Sequence, residues 1–169
     1  MVEAGEDPLF IVRRMVIFAA EDVGLADPQA LNIATSCQQA VHFVGMPEGY
    51  LPMAECAAYL ALAPKSNSAY TGYGAALEAA RETGHLPVPN HLRNAPTALA
   101  RQEGHGEDYR YPHDEPGHYA AGVEYLPRGV RGAPFFQPGE TGWEARAWER
   151  LQQLRTRGAS GQDEPGNHP

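Results

Sequence analysis

Lysine is almost missing from this chain. Lys65 is the single lysine among 13 basic residues, set against 21 acidic ones, and the formal charge is −8. That balance argues against a domain whose main task is to grip phosphate backbones, because such domains present a basic surface; a local basic patch stays compatible with it. Cysteine is scarce too. Cys37 and Cys56 fall inside apolar helical patterns, where a free thiol behaves as a small hydrophobe rather than as part of a disulfide framework. No apolar run approaches the ~18 residues that a membrane-spanning helix needs. Met1 is followed by Val-Glu-Ala-Gly-Glu-Asp, not by the basic and then apolar stretch of a signal peptide. These absences predict a cytosolic protein without membrane partners. Few stretches are rich in β-branched residues, which disfavours a large sheet.

What is present is alanine, helical spacing and punctuation. Hydrophobic residues make up 43% of the chain, enough for one core. Asp7-Pro8 reads as a cap followed by a first-turn proline and opens a helix to about Asp22. Leu9, Val12, Val16 and Ala19 form one stripe on it, and Phe10, Ile11, Ile17 and Phe18 a second. A helix so apolar is buried on most faces or packed against another subunit. Asp27-Pro28 opens a second helix with Ala30, Ala34, Cys37, Val41 and Val44 in register, stopped by Gly45. A third runs from near Leu51 to Ala63, with Met53, Ala57, Leu60 and Ala61 able to face a core. A fourth starts after Ser66 or Asn67, ends before Gly84 and lines up Tyr70, Tyr73, Leu77 and Ala80. Gly72 and Gly74 interrupt it at about 1 kcal/mol each, a cost that fits close approach by another helix.

After His85 the pattern breaks. Asn94 is expected to cap a short helix over 95–103. Residues 105–140 hold five prolines among Tyr109, Tyr111, Tyr119, Tyr125, Phe135 and Phe136. So many aromatics predict an ordered, irregular arm, with room for a short hairpin, rather than a disordered segment. Thr141-Gly142-Trp143-Glu144 reads as a capping box for a last helix to about Arg157 that buries Trp148, Leu151 and Leu154. Residues 158–169 are expected to be disordered.

Catalytic signatures are lacking. Pro64-Lys65-Ser66 shares two residues with a phosphate-cradling loop, but proline stands where glycine is needed and has no amide hydrogen to offer. His105, His113, Asp114 and His118 lack the spacing of a zinc site, so no metal is expected. None of the serines lies in a nucleophile elbow, and the carboxylate pairs Glu21-Asp22 and Glu107-Asp108 are ordinary surface features. Tyr109-Arg110-Tyr111, with Arg93 and Arg101, mixes aromatic and basic residues in the manner of a base-stacking surface. Glu103, Glu107, Asp108 and Glu115 dilute its potential.

Several segments taken together carry a resemblance: EDPLFIVRRMVIFAAEDVGLADP (6–28), YLALAPKSNSAY (59–70), LPVPNHLRNAPT (86–97), YRYPHDEPGHYAAGVEYLP (109–127) and FFQPGETGWE (135–144). In this order they resemble the C-terminal region of the replication-associated recombination protein A family, also called MgsA, relatives of the Werner-helicase-interacting protein. The resemblance implies an all-α fold: a helical bundle similar to the clamp-loader oligomerisation domain that follows an AAA+ core, spanning residues 1–157 with its irregular arm at about 105–140. It implies a role in assembling a homotetramer. It also implies that the whole protein is a DNA-dependent ATPase at stalled forks, nucleoid-associated, with single-strand-binding protein and DNA as partners. ATP and magnesium would belong to the AAA+ core, which this chain lacks; Val2-Glu3-Ala4-Gly5 reads as the end of an upstream helix. No catalytic, cofactor or metal residue is expected in this chain, so it is not expected to be an enzyme by itself. The candidate subunit interface is Phe10, Ile11, Ile17 and Phe18. The alternative function is a nucleic-acid-binding module, with Arg93, Arg101, Tyr109, Arg110 and Tyr111 as candidate contacts to DNA or a protein partner.

Overall fold

The computed structural model describes residues 1–130, 132 and 134–160. Among them six α-helices alternate with short 3-10 and π turns, and there is no strand. The all-α expectation therefore holds. The chain divides into two compact units, residues 1–74 with 135–148, and residues 75–134 with 149–169; the divide falls within two of the helices.

In the first unit, helix α1 (Pro8–Phe18) begins where Asp7 accepts a hydrogen bond from the Leu9 amide at 3.0 Å. It runs on through a π-helical turn, Ala19–Val23. Helix α2 (Gln29–Val44) is capped by Asp27, whose Oδ1 accepts from the Gln29 amide at 3.1 Å. The other oxygen of Asp27 accepts from the Tyr59 hydroxyl at 2.5 Å. That bond holds the Tyr59 phenol above its usual range and ties α3 (Tyr50–Leu62) to the start of α2. The first three helices pack on one another. Their core is Ile11, Val12, Ala19, Val23, Ala30, Ala34, Cys37, Val41, Met53, Cys56 and Leu60. The small residues along α2 let the neighbouring helices approach closely, which is how so alanine-rich a chain reaches interior packing density.

Stripe assignments shift on each of the first four helices. Leu9, Val44, Ala57 and Ala61 are exposed, Cys56 takes the core position on α3, and Tyr70 and Tyr73 on α4 (Ser68–Thr83) point to solvent. Gly72 is approached by an extended segment rather than by a helix: a Cβ there would meet the Phe135 carbonyl at 3.0 Å. Gly74 faces open space.

The start of α6 (Gly142–Ser160) sits against this unit. Gly142 has φ +71°, and a Cβ on it would lie 2.7 Å from the Ala26 carbonyl carbon. Glu144 is 1% exposed. Its Oε2 accepts from Ser68 Oγ at 2.6 Å. Oε1 is buried without an aligned donor, although Ser66 and Gly139 lie on that side. Burial alone would raise the carboxyl pKa. The Ser66 and Ser68 hydroxyls and the Gly139 amide outweigh it and hold the pKa below its ordinary value. The capping-box reading is thus corrected: the carboxylate is engaged by residues far away in sequence instead of reaching back to its own helix start.

In the second unit, the short helix is α5 (Ala98–Gln102), capped by Thr97, which accepts from the Ala100 amide at 3.2 Å. The expected start at Asn94 is therefore corrected. Pro96 explains the shift, since it disfavours helical backbone at Ala95. The arm forms no hairpin among the described residues. It turns through 3-10 segments at Pro112–Asp114, Pro116–His118 and Arg128–Val130; its frequent prolines lack the amide that a strand ladder requires. Helix α6 continues through Ser160, past the expected end at Arg157 and into the expected tail. The rest of that tail, 161–169, lies outside the described residues.

Candidate functional site

Of the candidate interface residues on α1, Phe10, Ile17 and Phe18 are exposed. Ile11 is different: at 8% exposed it belongs to the core of its own chain, so its place in the candidate interface is corrected. Phe10, Arg14, Ile17 and Glu21 succeed one another at helical spacing, with Arg13, Phe18 and Asp22 alongside. Glu21 and Asp22 lie within the π turn, Ala19–Val23. Among the described residues the side chains of Arg13, Arg14, Glu21 and Asp22 make no hydrogen bond or ion pair. Beside this face, Lys65 bonds the Ala61 and Ala63 carbonyls at the end of α3 and stands 5.8 Å over the Phe18 ring.

A second apolar surface went unanticipated. At the corner between α2 and α3, Phe43, Val44, Met46, Tyr50 and Leu51 are all exposed, Phe43 by 90%. Leu62 at the other end of α3 is 88% exposed. The signal was in the sequence: Phe43 falls off the α2 stripe that Ala30, Ala34, Cys37 and Val41 define. Large apolar side chains grouped on a surface mark interaction sites.

The candidate basic residues of the second unit are engaged within their own chain, while its two candidate aromatic rings stay exposed. Arg110 makes a bidentate pair with Glu115, 2.7 Å on both branches, and bonds the Ala121 carbonyl at 2.9 Å. The pairing raises the pKa of Arg110 and lowers that of Glu115. Arg101 bonds the Ala95 carbonyl at 3.2 Å, and Arg93 reaches Asn90 at 3.5 Å. All three arginines are engaged in shaping their own loops. Tyr109 and Tyr111 remain exposed. Tyr111, His113 and His118 form a ladder of tilted rings with centroids 5.1 and 5.2 Å apart. His113 and His118 are further joined by His118 Nδ1 and the His113 carbonyl at 3.2 Å. Among the described residues no three or more His, Cys, Asp or Glu side chains gather to hold a metal.

The polar groups of Pro64-Lys65-Ser66 have partners within the chain. The Ser66 amide donates to the Asp22 carbonyl at 2.8 Å, its hydroxyl accepts from the Ser68 amide at 3.2 Å, and Lys65 caps α3. The groups a phosphate would need are engaged within the fold. Cys37 and Cys56 are buried neighbours. Burial, ahead of all other causes, raises both thiols, Cys56 to about 12, which removes the thiolate that nucleophilic or redox chemistry needs. No described helix is long and apolar enough to cross a membrane.

This helical chain has well-defined relatives. The family described as MgsA AAA+ ATPase C terminal matches residues 1–155. An uncharacterized protein of Thermotoga maritima is 49% identical over 154 residues, 91% of this chain and 25% of its own length. The replication-associated recombination protein A of Haemophilus influenzae is 42% identical over 155 residues, 92% of this chain and 35% of its own. The ATPase WRNIP1 of Dictyostelium discoideum is 47% identical over 137 residues, 81% of this chain and 16% of its own. The chain thus spans about a third or less of the length of these relatives. A match over nearly its whole length, on the all-helical fold described above, decides the assignment: the chain belongs to the MgsA AAA+ ATPase C-terminal family.

Proposed function

We propose that this domain associates with copies of itself and so assembles the subunits of an AAA+ ATPase acting in replication-fork repair and recombination. The observation that carries the reading is the apolar corner between α2 and α3, where Phe43 is 90% exposed beside Val44, Met46, Tyr50 and Leu51. Burying such side chains stabilises an assembly by roughly 1.5–3 kcal/mol each. Two separate surfaces, the α2–α3 corner and the α1 face, would suffice for a closed tetramer if each pairs with its own copy across a two-fold axis. The ATPase activity, with its ATP and magnesium, belongs in this reading to an AAA+ core outside the sequence, and DNA and single-strand-binding protein are partners of the whole protein. The chain by itself is proposed not to be an enzyme, and its location to be cytoplasmic and nucleoid-associated.

Light scattering tests this. The chain is expected to reach four times its single-chain mass at tens of micromolar, and Phe43→Asp to leave a smaller species with unchanged helicity. A strict monomer at high concentration would end the association reading.

The alternative, contact with single-stranded or forked DNA through Tyr109 and Tyr111, has the exposure of those two rings in its favour. It requires binding that weakens steeply with salt. With the nearby arginines engaged internally, we expect no such binding at low salt.

A further inference from the structure

The α1 face is its own complement. It carries two positive side chains, Arg13 and Arg14, then the apolar Ile17 and Phe18, then two negative ones, Glu21 and Asp22, all exposed, with Lys65 of the α3 end tied to its own carbonyls at the edge of Phe18. The four charged side chains have no partner among the described residues. Charges arranged symmetrically about an apolar centre cannot satisfy one another along one helix, because each Arg lies about two turns from the acid it would need. Turned end for end, the same face matches itself.

We propose that two copies of this chain pair antiparallel through α1, with the two-fold axis passing between Ile17 and Phe18. The inference rests on the association reading above and names one of its interfaces. In this arrangement Ile17 packs against Phe18 of the partner subunit. Arg14 meets Glu21 of the partner subunit, and Arg13 meets Asp22 of the partner subunit. Each contact occurs twice, as an isologous interface requires. Helix axes pack 8–10 Å apart, a separation that long Arg and Glu side chains bridge at the rim of the contact. The apolar centre supplies affinity, and the charges set register and direction. A partner of uniform charge does not fit as well: nucleic acid would be drawn to one half of the face and repelled by the other.

The test exploits the symmetry. Arg14→Glu puts like charges opposite one another twice in each pair, and so does Glu21→Arg. Each variant alone is expected to weaken self-association by about tenfold or more, since like-charge juxtaposition across an interface is costly. Mixed in equal amounts, the two variants restore opposite charges at both contacts. Sedimentation velocity should then show association recovered to within about threefold of the native chain, by the logic of a coupling cycle. Thermal unfolding of each variant checks the fold, and these side chains have no intramolecular partner to lose. A fold defect would not be cured by mixing.

If the native chain associates and neither reversal changes the constant, the α1 pairing is wrong while the association reading stands. The pairing is equally overturned if both variants are weakened and the mixture does not recover. If the native chain never associates, both fall together.

Discussion

Replacing Gly142 with alanine is expected to cost about 4 kcal/mol or more, a size that marks backbone collision rather than lost contact. Two effects add. The residue holds φ +71°, a region where an L side chain is strained. The new Cβ would also lie 2.7 Å from the Ala26 carbonyl carbon and 3.0 Å from its Cα. Both are backbone atoms and cannot rotate away. Ala26 is buried, and the next residue, Asp27, is fastened by its bonds to the Gln29 amide and the Tyr59 hydroxyl. Relief therefore requires the start of α6 to lift from its seat. Urea unfolding, compared with Gly74→Ala, checks the argument. Gly74 lies within α4, and a Cβ there meets nothing within 4 Å. Its replacement should leave stability unchanged or raise it by up to about 1 kcal/mol. Equal effects at the two positions would refute the collision.

Glu144 carries the second large effect. Alanine there is expected to destabilise by about 3 kcal/mol, because it removes a charge-assisted hydrogen bond and strands the buried Ser68 hydroxyl. Glutamine should cost about 2 kcal/mol, because it keeps the side-chain shape but replaces the charge-assisted bond from Ser68 with a neutral one. The pH dependence separates charge from shape. The folded pKa of Glu144 is held below its ordinary value of 4.5. A carboxyl so depressed contributes stability that is fully present above the unfolded value and is lost as pH falls through the lower folded one. The native chain should therefore lose this increment below about pH 4.5, and Glu144→Gln should lack that part of the slope. Unfolding free energies measured from pH 7 down to pH 3 decide it; parallel curves would mean that the carboxylate is not held as described.

These two residues also show where reading the chain in order stops being sufficient. Thr141-Gly142-Trp143-Glu144 has the local pattern of a capping box, and a local pattern is all that a single segment can display. The groups that claim the carboxylate, Ser66 and Ser68, are more than seventy residues away, and nothing in the four-residue pattern ranks them above the local amide. Arg110 follows the same course. Its place between two tyrosines says nothing of its intramolecular partners, which are Glu115 in bidentate reach and the Ala121 carbonyl beside it.

The first four helices were legible because their signals are short-range. Asp7-Pro8, Asp27-Pro28, Gly45 and Pro64 act on neighbouring backbone amides and torsions, and the 3.6-residue spacing of Val12, Ala30, Ala34, Cys37 and Leu60 requires no knowledge of what lies opposite. The absence of enzyme motifs, the acidic balance and the family resemblance were equally available in the chain itself. Tertiary structure alone decided which apolar residues the core takes and which it leaves out. Ile11 and Ile17 are alike as residues, yet α2 and α3 cover one and not the other. It also decided the course of the arm, whose turns rest on contacts such as Gly106 with Asn90 and Arg110 with Ala121. Periodicity says that a helix has an apolar face; only packing says how much of that face its own chain has covered, and so how much remains for another.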